Sequence, residues 1–210
     1  MMKHSLVLIA VCIIGATIAD TIQIKTNKDA QVTRSSYGGC GVPCPDAKQG
    51  TATTINIGSY HLSSSGLFGY FLAPLNKDCS ITKAELVFPK DAFISSAGSG
   101  QAILQISKLD GSNWTEDSVT YNTKPSTVGP QLGTIVIGDQ LNVNLIPSPL
   151  DVTGAVITSL NQGEQEFGVE ASTSNGNSVF LNSREKGEEL ATFLNIQFEC
   201  QQVTASPVEN

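Results

Sequence analysis

The chain contains little of what most enzymes use for chemistry. Its 210 residues include two histidines, one tryptophan and five cysteines, and only 15% are charged. One histidine, His4, lies at the extreme N-terminus. That leaves His61 as the candidate base of a Ser-His-Asp triad, and no nucleophile-elbow sequence accompanies it. The Gly38–Gly41 run does not follow a strand and open a helix, as a nucleotide-binding loop does. We therefore predict no catalytic residues and no nucleotide cofactor.

Long apolar runs are also missing, apart from one at the N-terminus. Lys3 and His4 precede the apolar run Leu6–Ile14, and Thr17-Ile18-Ala19 follows with small residues at the positions that a signal peptidase reads. The run is shorter than the about 20 residues that a membrane-spanning helix needs. We predict a signal peptide over residues 1–19, a secreted, extracellular protein that starts near Asp20, and no membrane anchor.

Cysteine usage agrees with export. Removal of the signal would take Cys12 away and leave Cys40, Cys44, Cys79 and Cys200. In an exported chain such a set predicts two disulfides, with three ways to pair them. Zinc is the weaker interpretation, because a structural zinc site needs four clustered Cys or His ligands. We predict no metal site and no cofactor. Asp and Asn residues in turns leave structural calcium open, although no EF-hand spacing is present.

The charge balance limits the partners. The formal net charge is −7, and binding of nucleic acid depends on Lys and Arg that neutralise phosphates. We therefore predict no nucleic-acid partner. A local basic patch would still allow an anionic glycan. The chain offers no signal for an oligomeric state.

Hydrophobic alternation predicts strands and almost no helix. Ala84, Leu86 and Phe88 alternate with Lys83 and Glu85. One short helix or turn is predicted at residues 151–160, where the first residue is an aspartate that can cap it. The predicted strands are Thr21–Thr26, Thr53–His61, Leu67–Leu72, Ile81–Phe88, Gln101–Lys108, Ser118–Asn122, Gly133–Ile137, Gln140–Asn144, Glu166–Ala171, Ser178–Asn182 and Leu190–Glu199.

Two segments resemble a known family. Asn113–Asn122 reads N-W-T-E-D-S-V-T-Y-N with Pro125 close behind, and Phe180–Glu185 reads F-L-N-S-R-E. Together they are similar to the two signature segments of the secreted, all-β DNRLRE family, some members of which are classed as carbohydrate-binding modules of family 96. The resemblance runs from about Asp20 to Cys200. It implies one antiparallel β-sandwich of jelly-roll type over residues 20–200, followed by a flexible tail at 201–210.

The resemblance also bears on the disulfides. Its strand order implies that the strands beside Cys79 and Cys200 are antiparallel neighbours, so that these two cysteines pair and Cys40–Cys44 closes a small loop. Cys200 is in phase with the inward residues of its strand, whereas Cys79 is out of phase with those of its own. A slight irregularity near Asp78 is therefore required.

Candidate sugar-binding residues lie near the N-terminus. Proteins recognise sugars with an aromatic face and hydrogen-bonding side chains, and acidic glycans with Lys and Arg. Family members that bind alginate use a basic patch with a large N-terminal contribution, and Lys25, Lys28, Arg34 and Tyr37 match that pattern here. The alternative is an ordinary solvated edge strand and loop. The chain departs from the family by being more acidic and by inserting Gly38–Asp46 with two cysteines.

The signature residues are interpreted as structural. Trp114, beside Glu116, is expected to cover an edge of the sandwich rather than stack on a ligand. Arg184 and Glu185 are expected to form a conformational lock before the last strand, with Arg184 bound to loop carbonyls; a ligand role for Arg184 is the alternative. Asn113 starts an Asn-Trp-Thr sequon and is a predicted N-glycosylation site, which would make the chain a glycoprotein.

Three functions are compatible with these features. The first is a non-catalytic protein that binds cell-wall or extracellular polysaccharide, including an acidic, alginate-like one. The second is a structural or adhesive protein of a matrix or coat. The third is a small secreted glycan-cleaving enzyme, because the acidic residues, 19 in all, leave a carboxylate pair open. We predict the first.

Overall fold

A computed structural model describes residues 17–35, 40, 42–58, 63–73, 75, 79–89, 93–97, 101–111, 113–137, 147–173 and 177–201. These residues form an all-β fold with one short helix, α1 (Thr153–Asn161). The strands are β1 (Thr17–Thr33), β2 (Thr54–Gly58), β3 (Ser64–Phe71), β4 (Cys79–Val87), β5 (Phe93–Ala97), β6 (Ala102–Leu109), β7 (Thr127–Ile137), β8 (Leu150–Asp151), β9 (Glu166–Thr173), β10 (Ser178–Asn182) and β11 (Phe193–Gln201).

The strands form two sheets that share β1, and every pairing between described strands is antiparallel. Sheet A has the order β8-β4-β11-β1 and uses the first half of β1, up to Lys25. In sheet B the second half of β1 pairs with β3, and the order continues through β9 and β6 to β7. β2 joins β3 at Gly58 and leads on to β10 and β5. A register shift between Thr26 and Lys28 marks the point where β1 changes sheet, as bulges commonly do.

One hydrophobic core draws on both sheets. Ile24, Leu86, Leu194 and Ile196 come from sheet A. Their partners from sheet B belong to the same cluster and include Phe68, Tyr70, Leu104, Ile106, Phe167 and Val169. Because alternate residues of each strand point to the core, the hydrophobic pattern of the sequence fixes which face is buried. The predicted all-β class is confirmed, and the jelly-roll connectivity remains a prediction.

Most predicted strands are present with shifted ends, and one is wrong. Ser118–Asn122 forms turns, since the Val119 N–H donates to the Thr115 carbonyl at 2.9 Å and the Lys124 N–H to the Thr120 carbonyl at 2.9 Å. Hydroxyl side chains in this run, such as those of Thr120 and Thr123, bond to nearby backbone and to each other, which favours turns over a ladder. The last strand begins at Phe193, because residues 188–190 form a 3-10 helix. Gln140–Asn144 lies outside the described residues. β5 and β8 were not predicted.

The short helix confirms the predicted one. Asp151 Oδ1 accepts hydrogen bonds from the Thr153 N–H at 2.9 Å and from Thr153 Oγ1 at 2.6 Å, so it caps the first turn. These bonds lower the pKa of Asp151. No described helix is long and apolar enough to cross a membrane.

Both predicted disulfides, Cys40–Cys44 and Cys79–Cys200, are confirmed. The sequence predicts an irregularity near Asp78, which lies outside the described residues, and the structure has one inside β4. Thr82 is an extra residue between the pair Lys83–Gln197 and the pair Ile81–Phe198, and its hydroxyl donates to the Gln197 carbonyl at 3.2 Å. This bulge turns Cys79 to the side where Cys200 lies.

The N-terminal strand begins before the predicted signal cleavage site. Thr17, Ile18 and Ala19 pair with residues 201–199 of β11, and Asp20 pairs with Phe198. Cleavage after Ala19 would leave the pairing from Asp20 onward in place. The signal peptide itself, residues 1–19, remains a prediction.

Candidate functional site

The outer face of sheet B is covered by the signature segment Asn113–Asn122, called the cover here. Trp114 and Val119 are buried in a second, smaller core, and Tyr121 packs against it. The sheet side of this cluster is formed by Ala30, Val32, Leu67 and Leu109. Trp114 is 5% exposed, so its ring packs in this cluster, and the structural role expected for it remains a prediction. Asn113 is exposed at the start of the cover, as glycosylation of this sequon would require.

Lys28 of β1 anchors the cover to sheet B. Its Nζ lies 4.7 Å from the centre of the Trp114 ring, 3.1 Å from the Trp114 carbonyl oxygen and 2.7 Å from Glu166 Oε2. The aliphatic stem crosses Gly69, where an added Cβ would approach Lys28 Cε to 2.7 Å. Because the Lys28 side chain is only 12% exposed, it acts as a cation–π and hydrogen-bonding anchor.

Arg184 and Glu116 lock the cover to the entry of the last strand. Arg184 Nε and Nη2 donate to the two oxygens of Glu116 at 2.7 and 2.6 Å, a bidentate geometry. Glu116 Oε1 also accepts the Asp29 N–H at 2.7 Å, and Asp29 Oδ2 accepts the Arg184 N–H at 2.8 Å. Glu185 lies 3.3 Å from the guanidinium. The partners of the Arg184 side chain are therefore carboxylates, where the sequence suggested loop carbonyls.

Burial shifts the titration of this lock. Asp29 is 2% exposed, and desolvation raises its pKa to about 6, with the nearby Glu116 charge adding to the effect. The hydrogen bond to Glu116 raises the pKa of Arg184 above its usual range. Within the described part of the chain, Asp29 Oδ1 has no hydrogen-bond partner. Asp29 and Glu116 are thus enclosed by Arg184 and do not face each other across an open cleft, as a glycosidase pair does.

The predicted basic set is not gathered into one patch. Lys25 is 48% exposed and lies 4.0 Å from Glu188, Lys28 is enclosed beneath the cover, and Arg34 is exposed just past the end of β1. Along an extended strand, Lys25 and Arg34 are about 30 Å apart. Tyr37 lies outside the described residues. The role of these residues in sugar binding remains a prediction.

The outer face of sheet A, called the open face here, carries polar side chains in rows across the strands. Directly paired residues of antiparallel strands project to the same side, and their inward neighbours such as Ile24, Leu194 and Leu86 lie in the core. The rows are Lys25, Phe193 and Val87; Gln23, Asn195, Glu85 and Asp151; and Thr21, Gln197 and Lys83. Thr21, Gln23 and Gln197 are exposed, and Phe193 and Asn195 are partly exposed.

Charge on the open face is largely internally balanced. Lys83 Nζ lies 2.6 Å from Glu85 Oε1, and this hydrogen bond raises the pKa of Lys83. What remains along the rows is mainly amide, hydroxyl and one aromatic ring. Sequence reasoning recognised Lys83 and Glu85 as the polar side of their strand. It missed Gln23 and Phe193, because only the strand register places them beside those residues.

A cleft of about 910 Å³ lies beside the Cys79–Cys200 bridge, between α1 and the edge of sheet A. Aliphatic side chains such as Leu72, Ile81 and Leu160 line it together with the polar residues Glu164 and Gln165. In the described part of the chain, no three His, Cys, Asp or Glu residues are grouped to hold a metal ion.

No curated protein matches the chain. The model of carbohydrate-binding module family 96 matches residues 45–197. This range contains the cover, the lock residues Glu116 and Arg184, and β4 and most of β11 from sheet A. It begins after the predicted basic set, whose last member is Tyr37. Since the match spans well over half of the chain, the protein belongs to carbohydrate-binding module family 96.

Proposed function

We propose that this is a secreted, non-catalytic protein that binds a cell-wall or extracellular polysaccharide. The family match over residues 45–197 carries the proposal. Two disulfides support export, because such bonds persist in oxidising compartments. The N-terminal apolar run supports the same compartment.

Several features support binding without cleavage. The Glu116 carboxylate is bound at both oxygens by the Arg184 guanidinium, and the Asp29 carboxylate is buried and accepts the Arg184 N–H through Oδ2. All four cysteines outside the N-terminal run form disulfides, so none offers a thiolate nucleophile. The open face supplies amides and an aromatic ring, which are the groups that recognise sugar hydroxyls and C–H surfaces.

The test combines binding and cleavage on the same samples. The purified secreted protein is applied to a glycan array that includes plant, fungal, bacterial and algal polysaccharides, and positive ligands are titrated by calorimetry. We expect affinities between millimolar and micromolar, about −4 to −8 kcal/mol per site, with no new reducing ends after prolonged incubation. Release of reducing ends would identify an enzyme. Capture of a protein ligand with no glycan bound would identify an adhesive or structural protein.

A further inference from the structure

We infer that the open face of sheet A is the surface that contacts the polysaccharide, and that the ligand is a neutral, hydroxyl-rich chain. This inference rests on the proposed function and adds a location and a ligand class to it. The residues that carry it are Phe193, Asn195 and Gln197 of β11, together with Gln23 and Thr21 of β1.

The geometry provides an extended platform. Gln23, Asn195, Glu85 and Asp151 are consecutive partners across four strands. Neighbouring strands lie about 4.8 Å apart, so this row spans about 14 Å. The adjacent row begins one strand step of two residues away, about 7 Å, and holds Gln197. A linear chain laid across the strands would therefore meet hydrogen-bonding groups at regular intervals.

The side chains match a sugar in kind as well as in spacing. An amide offers both donors and an acceptor, so each of Gln23, Asn195 and Gln197 can pair with hydroxyl groups of either sense. Phe193 stands at the end of this array beside Asn195 and is partly exposed. Its ring can lie against the C–H surface of a pyranose, as aromatic rings do with apolar faces.

The distribution of charge favours a neutral ligand. Recognition of an acidic glycan needs cations that are free to pair with its carboxylates. Of the nine Lys and Arg residues in the described ranges, six already have a carboxylate of this chain within 4.0 Å. These six are Lys25, Lys28, Lys83, Lys108, Lys124 and Arg184. The chain as a whole carries a net charge of −7, so its long-range field disfavours a polyanion.

The other sheet supplies a matched comparison. Its outer face is occupied by the cover, and Phe71, 44% exposed, is a large aromatic at its margin. Phe71 pairs with Glu166, whose carboxylate is already bonded to Asn27 and Lys28. Gln131 is likewise an exposed amide of β7. Phe71 and Gln131 therefore reproduce the chemistry of Phe193 and Gln197 on the sheet that we do not assign to the ligand.

The experiment compares these residues in pairs. Phe193→Ala and the double variant Asn195→Ala/Gln197→Ala are titrated beside Phe71→Ala and Gln131→Ala. The probes are cello-oligosaccharides, mannan, β-1,3-glucan and alginate, each at low and high salt. We expect at least about tenfold weaker binding of a neutral probe for the two sheet A variants and no change for the two controls. Circular dichroism and thermal melts verify that each variant is folded, and Asn195→Asp serves as a milder replacement if the double variant is not.

The outcomes separate the two proposals. Glycan binding that survives both sheet A variants, or that is lost in Phe71→Ala, would overturn the assignment to the open face and leave the proposed function intact. Binding to alginate alone, weakened by salt, would overturn the neutral ligand class. Binding of no glycan at all would overturn the proposed function together with this inference.

Discussion

The outer faces of sheets A and B are built from similar strands, but the face of sheet B is covered by packed side chains and the face of sheet A is exposed. On sheet B, the cover buries Trp114 at 5% exposure and Val119 at 2% against the strands. Three Lys–Glu pairs each have at least one member on a strand of the same sheet, and the least exposed members, Lys28, Lys108 and Glu170, are 11–12% exposed. On sheet A the corresponding face presents the exposed side chains of Thr21, Gln23 and Gln197.

This contrast shows how residue type can mislead. The sequence assigns Lys28 to a glycan ligand, and it gives Trp114 and Arg184 structural roles. The structure uses them to close sheet B, through a cation–π contact at 4.7 Å and a bidentate ion pair. The amide side chains of sheet A belong to common residue types. They become a candidate binding surface only because the strand register places them side by side on the open face.

The largest expected effect follows from removing the disulfide that joins β4 and β11 in sheet A. Cys79→Ser/Cys200→Ser opens a bond across a sequence separation of 121, and the chain-entropy relation predicts a loss of about 5 kcal/mol in the free energy of unfolding. Cys40→Ser/Cys44→Ser is the control, since its separation of 4 predicts only about 2 kcal/mol. Urea denaturation measures both. Equal losses would mean that loop entropy does not govern these bridges.

The next largest effect follows from removing the Trp114 side chain, which packs the cover against sheet B. Trp114→Ala should cost about 3–5 kcal/mol, because it empties a site in the smaller core and takes away the ring above Lys28. Phe193→Ala, an aromatic replacement on the open face, should cost about 1 kcal/mol or less. Thermal and urea unfolding compare the two variants. Similar losses would show that the open face is packed as tightly as the covered one.

The raised pKa of Asp29 makes the stability of the lock on sheet B depend on pH. The pKa of Asp29 is about 6 in the folded chain against 3.8 for the unfolded one. The folded state therefore retains a proton that the unfolded state releases, and this group's contribution to stability falls as pH rises from about 4 to about 7. The expected loss is about 3 kcal/mol.

The wild type and Asp29→Asn are unfolded in urea across that pH range. The difference between their free energies of unfolding should change by the same amount, because the amide does not titrate. A difference that stays constant from pH 4 to pH 7 would refute the raised pKa.

The smallest expected effect compares two ion pairs. Glu116→Gln replaces the charge-assisted bonds to Arg184 with neutral ones and should cost about 2 kcal/mol. Glu85→Gln, which affects the pair with the more exposed Lys83 on the open face, should cost less, because solvent screens that pair. Denaturation at low and high salt measures both. A larger loss in Glu85→Gln would contradict the contrast between covered and open faces.

Local features of the chain could be predicted because they depend on neighbours in sequence. Strand alternation in β4 gave the inward residues Ala84 and Leu86, and Asp151 gave the cap of α1. The Cys79–Cys200 bridge followed from the family resemblance, and the phase of Cys79 correctly demanded an irregularity, found at Thr82. The strand predicted at Ser118–Asn122 is wrong because short hydroxyl side chains also favour turns. Only the packing of this segment on sheet B decides between strand and turn.

By itself, then, the sequence determined the class of fold, the buried side of the strands that alternate clearly and the family, because periodicity and signature residues are local properties. Only the tertiary structure decided which polar residues stand together. Lys25, Lys28 and Arg34 are close in sequence, yet the extended β1 strand and its change of sheet at Thr26–Lys28 separate them. Gln23 and Asn195 are far apart in sequence and become neighbours through antiparallel pairing, because long-range register is set by the packing of whole sheets.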